Sequence, residues 1–392
     1  MAGHQERSAH VGVALDGAGW HPAAWREPDA RPADLLTAGY WTDLVTEAER
    51  GLLDFVTFED ALSLQSASRR GPDQRTDQVR GRLDSTLIAA RVAPVTSRIG
   101  LIPTVTVTHT EPFHASKAIA SLDWVSSGRA GVRVKVSGRA DEAAHFGRRT
   151  IADGTEQTAG LFDEAADYVE VMRRLWDSWD DDAEIRDVAT GRFVDRDRLH
   201  YIDFSGRWFS VRGPSITPRP PQGQPVVAAL AHVDMAFQLA ATSADLVFVT
   251  PHDAAEAAGI SARVRAAQAS AGRAEQPLRI VADLLVYLDS DAGRAAGRQA
   301  RLDDRAGKPY RSDALAFTGT AAQLADLIQD WLSAGLTGFR LRPAAIPADL
   351  LQITRALVPE LQKRATFREK YQAPTLRGLL GLPRPASRYA RV

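Results

Sequence analysis

Short apolar runs alternate with amphipathic segments along most of the chain, and this alternation predicts parallel strands joined by helices. Runs rich in Val, Ile and Leu indicate the strands, and apolar positions three and four residues apart indicate the helices. The predicted strands span residues 10–15, 53–58, 99–108, 131–137, 225–231, 244–250, 278–288 and 336–341. The predicted helices span residues 34–51, 83–93, 112–126, 164–179, 234–242, 254–271, 320–335 and 347–363.

Eight predicted strands, most of them followed by a helix, favour a closed barrel over an open doubly wound sheet. An open sheet that binds a dinucleotide would need a glycine fingerprint after its first strand. The chain has only Gly17 and Gly19 at that place, and Pro22 follows where a helix would begin. We therefore predict an α/β protein with a single (β/α)8 TIM barrel.

Two segments interrupt the alternation. Residues 180–224 are first acidic and then rich in Gly, Pro and Arg, and they predict an insertion with one hairpin around residues 199–211. Residues 365–392 are basic and predict an irregular tail. The length of 392 residues would allow two or three domains, at about 150 residues per domain. The strand count favours one barrel domain over residues 1–392.

Composition supports an ordinary globular protein, with 44% hydrophobic and 25% charged residues. No run reaches the roughly 18 apolar residues that a membrane span needs. The polar first residues have no apolar segment typical of a signal peptide. We therefore predict a cytoplasmic protein that does not contact a membrane.

Charge and cysteine content exclude several classes of site. The formal net charge of −1 gives no general attraction for nucleic acid, so no nucleic-acid partner is predicted. The chain has no cysteine, which excludes disulfides, thiolate metal sites and a cysteine nucleophile. The nine histidines are scattered and form no HExxH motif, so no metal site is predicted.

Candidate chemistry lies at the carboxyl ends of the strands, because active sites of such barrels lie at that face. Thr106 and Thr108 share one face of the third strand, and Arg133, Lys135 and Ser137 share one face of the fourth. Valines occupy the opposite faces and are expected to pack against helices. The hydroxyls and the cations are therefore expected to face the barrel mouth.

Two interpretations of these cations stay open. Arg133 and Lys135 could bind a polar, anionic ligand, or they could be paired inside the barrel with carboxylates. The carboxylates Glu59, Asp60 and Glu111 also fall at strand ends, where a pair could serve a hydrolase. The chain has no GxSxG nucleophile motif, so a serine hydrolase is not indicated.

Several longer motifs then indicate a family. The chain resembles the bacterial-luciferase-like flavin monooxygenases, and within them the branch of the nitrilotriacetate, EDTA and dibenzothiophene-sulfone monooxygenases. The stretches that carry this resemblance are Ala24-Trp-Arg26, Glu111-Pro-Phe-His114, LDWVSSGRAG (residues 122–131), LWDSW (residues 175–179), GRWFSVRGP (residues 206–214), PQGQP (residues 221–225) and LRGLLGLPRPASRYA (residues 376–390).

The resemblance implies a TIM barrel that uses reduced FMN, supplied by a separate flavin reductase, and molecular oxygen to oxidise a small organic substrate. It places Asp60 and Thr106 at the flavin. It also implies a homodimer or higher homo-oligomer. The eight tryptophans agree with this, since some lie on predicted helices and could pack between subunits.

The chain departs from the family pattern in the turn that binds the flavin phosphate in relatives. Relatives carry a Gly-Ser-Ser turn after the fifth strand, and this chain has Ala231-His232-Val233 followed by Asp234. His232, Arg133 and Ser137 are therefore our candidate cofactor-binding donors beside Asp60 and Thr106. Asp234 would repel a phosphate, or it would cap the following helix.

Lys135, Trp25 and His109 are the candidate substrate-binding residues, and the catalytic residues are left unassigned. The main hypothesis is a two-component flavin-dependent monooxygenase. The first alternative is a barrel of the same fold that has lost flavin chemistry and acts as a partner subunit or binding protein. The second is an unrelated barrel hydrolase.

Overall fold

The structure, a computed structural model, describes residues 8–66, 68, 71–151 and 155–390. The strand–helix loops at residues 65–82 and 138–160, where the family resemblance places substrate specificity, lie partly outside the described residues, as do residues 391–392. Eight parallel strands form the centre of the fold. They are β1 (His10–Leu15), β2 (Phe55–Phe58), β3 (Gly100–Thr106), β4 (Gly131–Lys135), β5 (Val226–Leu230), β6 (Leu246–Val249), β7 (Arg279–Leu288) and β8 (Gly338–Pro343).

These strands close into a barrel. Each pairs in parallel with the next along the chain, and β8 pairs with β1, where His10 lies opposite Gly338. All eight predicted strands are present and differ from the prediction by a few residues at their ends. The predicted (β/α)8 barrel is therefore confirmed. A ninth parallel strand, Leu315–Gly319, pairs with the second half of β7 and was not predicted.

Helices surround the barrel on the outside. The described α-helices span Ala38–Arg50, Ser85–Val92, Pro112–Val125, Ala140–Phe146, Thr155–Asp177, Asp234–Ser243, Ala254–Ser270, Ala292–Ala306, Ala321–Ser333, Ala348–Gln352, Val358–Lys363 and Leu376–Leu379. The sequence did not predict Ala292–Ala306, since its buried face is made of Ala295, Arg298, Leu302 and Ala306 and gives little apolar signal. Within the described chain no helix is long and apolar enough to cross a membrane.

The barrel interior changes character along its axis. Near the amino ends of the strands it is apolar, with Phe55, Ile102 and Phe248 packed together. Nearer the carboxyl ends it contains buried charged side chains, among them Arg340 and Asp283. The apolar half forms the core, and the charged half faces the mouth where a ligand would enter.

The tail is irregular, as predicted, apart from the short helix Leu376–Leu379. It does not lie free on the surface, since Leu376 is fully buried in the same cluster as the barrel interior. Leu376 packs against Gly100 and Gly131. A Cβ atom added to Gly100 would lie 2.4 Å from a Leu376 methyl group, and one added to Gly131 would lie 3.2 Å from the other. The tail therefore closes the amino end of the barrel.

Residues of the family motifs hold this closed end together. Asp123 accepts hydrogen bonds from the backbone and side chain of Gln222, at 3.1 and 2.6 Å. Gln222 in turn accepts from the backbone N–H of Arg377, at 2.7 Å. Arg129 donates to the carbonyls of Ala93 and two other loop residues. These motifs serve the fold, and they lie at the opposite end from the mouth.

The insertion at 180–224 contains two hairpins. Phe204–Ser205 pairs with Ser210–Val211, within the region where a hairpin was predicted. Glu184–Asp187 pairs with Arg192–Val194, and this hairpin was not predicted. Its strands are short and charged, which explains why the pattern gave no strand signal there.

Candidate functional site

Arg133 points into the barrel from β4, as the alternation along the strand predicted. Its Nε donates to Thr104 Oγ1 at 2.9 Å, and its guanidinium pairs with Glu59. Both members of the pair are largely buried. Of the two interpretations left open by the sequence, the structure shows a paired arginine, so Arg133 is not a free cation at the mouth.

Glu59 is the centre of a buried charge cluster. Burial by itself would raise the pKa of Glu59, but Arg133, Arg340 and Arg342 outweigh it and lower the pKa to about 2. Glu59 is therefore ionised at neutral pH. Its Oε1 is buried and has no hydrogen-bond partner among the described residues, although Arg340 lies 3.5 Å away.

The other buried acid of the cluster is Asp283 on β7, which pairs with both Arg340 and Arg342. The sequence analysis did not select these residues. A signal existed, because Arg340 and Arg342 alternate along β8 in the same way that Arg133 and Lys135 alternate along β4. The partner carboxylate could not be read from the pattern, because β7 and β8 are far apart in the chain.

Lys135 and Asp60 meet at the mouth. Lys135 Nζ donates to the backbone carbonyl of Asp60 at 3.0 Å. The Asp60 carboxylate accepts from the backbone N–H groups of Ala61 and Ser85, at 2.7 and 2.9 Å. Burial raises the pKa of Asp60 above its usual value. These bonds hold the carboxylate in one orientation at the end of β2.

The end of β3 brings together three more of the predicted residues. Thr106 is buried, and the Ser137 backbone N–H donates to Thr108 Oγ1 at 2.9 Å. The His109 ring stacks on Phe146 with centroids 5.3 Å apart, and burial lowers the pKa of His109. Its Nε2 is buried and unpartnered within the part of the chain that the structure describes.

Glu142 is a residue that the sequence analysis missed. It lies on the helix Ala140–Phe146 and is fully buried, and neither carboxylate oxygen forms a hydrogen bond to any described residue. Among the described residues, Arg139 is the cation within 4 Å, and its Nε lies 3.9 Å from Glu142 Oε1. A buried carboxylate without donors is costly. No spacing rule would have selected it, because its burial depends on how the loop after β4 folds over the mouth.

His232 lies apart from this group, after β5. It is exposed and lines a cavity of about 210 Å³ together with Thr250 and Arg263. The helix Asp234–Ser243 begins here, with Val233 as N-cap and no side-chain cap hydrogen bond. The suggestion that Asp234 caps the helix is therefore wrong. The Asp234 carboxylate pairs with Arg263, and this pairing partly neutralises the negative charge that would oppose a phosphate.

Two adjoining cavities open at the mouth beside β1 and β2. The smaller, about 310 Å³, is mainly apolar and reaches Phe58 and Glu59. The larger, about 630 Å³, extends to the segment around Tyr310. Trp25, predicted to bind substrate, lies in the wall of both cavities, and its Nε1 donates to the Asp77 carbonyl at 3.0 Å. Their size is that of small-molecule sites.

His109 and Lys135, the other two predicted substrate-binding residues, line neither of these cavities. The structure thus places the predicted residues in four locations. Arg133 lies inside the barrel, paired with Glu59, and His232 lies apart, after β5. Asp60, Thr106, Lys135, Ser137 and His109 lie at the ends of β2–β4, and Trp25 lies in the cavity beside them. Among the described residues, no group of three His, Asp or Glu side chains could hold a metal ion.

Comparison with known proteins agrees with the barrel fold. The model of the family described as luciferase-like monooxygenase matches residues 20–314. N-acetyl-S-(2-succino)cysteine monooxygenase of Bacillus subtilis (strain 168) is 31% identical over 450 aligned positions, which cover 99% of each chain. Nitrilotriacetate monooxygenase component A of Aminobacter aminovorans is 29% identical, over 98% of this chain and 99% of that protein.

Solved structures of other proteins have the same fold. A long-chain alkane monooxygenase superposes with a TM-score of 0.86 at 23% identity, covering 95% of each chain. A riboflavin lyase, solved with modified FMN and riboflavin, also has a TM-score of 0.86, at 25% identity, covering 95% of this chain and 96% of that one. None of these relatives supports the barrel hydrolase or the barrel without flavin chemistry. The chain therefore belongs to the luciferase-like monooxygenase family and is a flavin-dependent oxidoreductase, as its motifs predicted.

Proposed function

We propose that this protein uses reduced FMN and molecular oxygen to oxidise a small organic substrate at the mouth of the barrel. The observation that carries the proposal is a group of buried polar atoms without partners among the described residues, at the ends of β2–β4. They are Glu59 Oε1, His109 Nε2 and both carboxylate oxygens of Glu142. Such groups need hydrogen-bond partners when buried, and the ring N–H and ribityl hydroxyls of FMN are donors.

The phosphate end of FMN fits the turn after β5. The helix Asp234–Ser243 presents its first backbone N–H groups without a competing side-chain cap, and such an end attracts phosphate. His232 lies at the same end and Arg263 lines the same cavity. The assignment of His232 to the phosphate therefore stays a prediction that the geometry favours.

Bound reduced FMN would supply the two electrons and the reaction with oxygen. The side chains of the protein position and shield it. Asp60 is held rigidly by two backbone N–H groups and can accept from a ring N–H. Thr106 and Ser137 lie at the ends of the adjacent strands, and Phe146 covers His109, which helps to exclude water from the site. Arg133 acts through Glu59 in this arrangement and does not contact the flavin.

A separate flavin reductase is part of the proposal. One relative, nitrilotriacetate monooxygenase component A of Aminobacter aminovorans, is named as one component of a monooxygenase, and this supports a second component. The small-molecule substrate is oxidised at the mouth, next to the flavin. A cytoplasmic location stays a prediction from the sequence.

We also propose a homodimer. Most tryptophans on the predicted helices pack within the subunit: Trp41, Trp176 and Trp331 are buried, and Trp179 Nε1 donates to the Ser215 carbonyl at 2.7 Å. Only Trp124, 43% exposed, is available to a partner. Light scattering at micromolar concentration should give twice 42.5 kDa, and a monomer mass would contradict the dimer.

Titration with FMN, oxidised and reduced, tests the proposed cofactor. Asp60→Asn should weaken flavin affinity about tenfold, because one charge-assisted hydrogen bond is lost. Asp330→Asn is the matched control, since Asp330 is exposed on the surface helix Ala321–Ser333 and lines neither mouth cavity. Unchanged flavin affinity in folded Asp60→Asn would remove Asp60 from the site. Absence of saturable flavin binding to the unaltered protein would contradict the proposed function as a whole.

A further inference from the structure

The larger mouth cavity carries an excess of positive charge. The cations in its wall include Arg75, Arg82, Lys308 and Arg311, and Asp16 contributes the one carboxylate among the described lining residues. These cations are not equivalent, because protein carboxylates already neutralise some of them. Only a cation without a protein partner is free to pair with a ligand.

Two of the arginines are committed to protein carboxylates. Arg82 binds Asp16 through two hydrogen bonds, of 3.0 and 2.6 Å. Although burial opposes it, Asp16 raises the pKa of Arg82 above its usual value. Arg75 binds Asp77 in the same two-pronged way, at 2.9 and 2.6 Å. These pairs are close to neutral and build the wall.

Lys308 and Arg311 are different. Both side chains are exposed at the rim of the cavity, and neither makes a hydrogen bond or ion pair with any residue that the structure describes. The segment that carries them is nevertheless anchored. The backbone N–H groups of Lys308 and Tyr310 donate to Asp303, at 3.2 and 2.7 Å, and the Asp303 carboxylate also bonds to buried His21.

The smaller cavity has the opposite character. Its wall is formed mainly by Trp25, Leu35, Trp41, Phe58 and Ile88. At its inner end it reaches Glu59, which is ionised at neutral pH, and Ser85, whose N–H binds Asp60. The one described cation in this wall, Arg82, is already paired with Asp16, so an anionic group would find no free cation there. An apolar group would be buried favourably against the aromatic and aliphatic side chains.

The cavities share Asp16, Gly17, Trp25, Val79 and Arg82, so one molecule can extend through both. We infer that they form the substrate site, and that the substrate is an organic anion with an apolar end. The apolar end enters the smaller cavity, next to Asp60, and the anionic group lies at the rim between Lys308 and Arg311. This inference rests on the proposed function for the chemistry, but the binding itself needs no flavin.

The anionic class can be tested on flavin-free protein with pairs of probes that differ only in charge. We would titrate phenylacetate, 4-phenylbutyrate and naphthaleneacetate, each beside its primary amide, by isothermal calorimetry. At least one carboxylate should bind about tenfold more tightly than its amide, the scale of a charge-assisted contact. If none of the carboxylates binds more tightly than its amide, the inference is overturned.

Variants test whether Lys308 and Arg311 cause the preference for the carboxylate. Lys308→Ala/Arg311→Ala should abolish the preference for the carboxylate and leave amide affinity unchanged, and Lys308→Arg/Arg311→Lys should keep the preference. Arg98→Ala/Lys370→Ala removes the same two charges from exposed positions near the amino end of the barrel and should change nothing. A preference that survives in Lys308→Ala/Arg311→Ala would show that these residues do not bind the anion.

The two proposals fail in different ways. FMN titration of the same variants reports the flavin site, and Lys308→Ala/Arg311→Ala should leave FMN affinity within twofold of the original. Loss of the carboxylate preference with intact FMN binding supports a substrate site beside the flavin. A protein that selects carboxylates but binds no FMN would contradict the proposed function and leave the anion site standing.

Discussion

Replacement of Arg133 by methionine distinguishes a structural role of this residue from a cofactor-binding one. Arg133 is paired with Glu59 inside the barrel and also binds Thr104. Methionine fills a similar space without charge, so Arg133→Met leaves the buried Glu59 with Arg340, Arg342 and Arg82 as nearby cations. We expect the variant to fold, and to be less stable than the original protein.

The expected loss of unfolding free energy follows from the lowered pKa of Glu59. Its pKa is lowered from 4.5 to about 2, and this difference corresponds to about 3 kcal/mol at neutral pH. Removal of one partner from a buried pair typically costs about 3–5 kcal/mol. Because three arginines remain near Glu59, we expect the loss of unfolding free energy at the lower end of this range, about 3 kcal/mol.

Urea denaturation measures this loss, and pH gives an independent readout. A lowered acid pKa means that the stabilisation by Glu59 is complete above about pH 4.5 and is lost as the pH falls towards about 2. In Arg133→Met the pKa of Glu59 moves back towards its usual value, so this acid-dependent loss should be smaller. Arg133→Met/Glu59→Gln removes both charges and should regain most of the stability.

Two results would refute the reasoning. The first is an Arg133→Met protein as stable as the original whose FMN affinity falls tenfold, which would make Arg133 a cofactor ligand. The second is a double variant no more stable than Arg133→Met, which would show that the two side chains are not energetically coupled.

Two further predictions concern the closed end of the barrel. Leu376→Ala should lower the free energy of unfolding by about 2–5 kcal/mol, because Leu376 is fully buried against the barrel strands, whereas exposed Leu87→Ala should change it little in the same denaturation assay. Burial raises the pKa of Asp123 from 3.8 to about 6. Its contribution to stability is therefore complete below about pH 4 and is lost as the pH rises through about 6. Asp123→Asn should remove this part of the pH–stability curve, and an unchanged slope in the variant would contradict the raised pKa.

The fold could be predicted because each barrel strand is a local pattern. Strand β1 was predicted with its observed bounds, His10–Leu15, since its apolar residues are continuous and polar residues flank them. The strand Leu315–Gly319 was missed because it is short and only partly buried. The helix Ala292–Ala306 was missed because it is polar on average and its buried face contains small or charged residues apart from Leu302.

The mouth could be predicted only in part. Alternation along β4 correctly predicted that Arg133 points into the barrel. It could not show that Glu59 meets Arg133 there, because the two lie 74 positions apart in the chain. The same is true of Lys308 and Arg311, which follow a helix that the sequence did not reveal, and which reach the mouth only through the anchor at Asp303.

The amino-acid sequence by itself determined the class of the protein. Periodic apolar positions specify strands and helices locally, and eight such units in series leave a closed parallel barrel as the arrangement that buries them all. Tertiary structure decided the chemistry of the mouth. Whether Arg133, Lys308 or Glu142 is paired or free depends on which distant strands and loops meet around it, and buried charges acquire their properties from those neighbours.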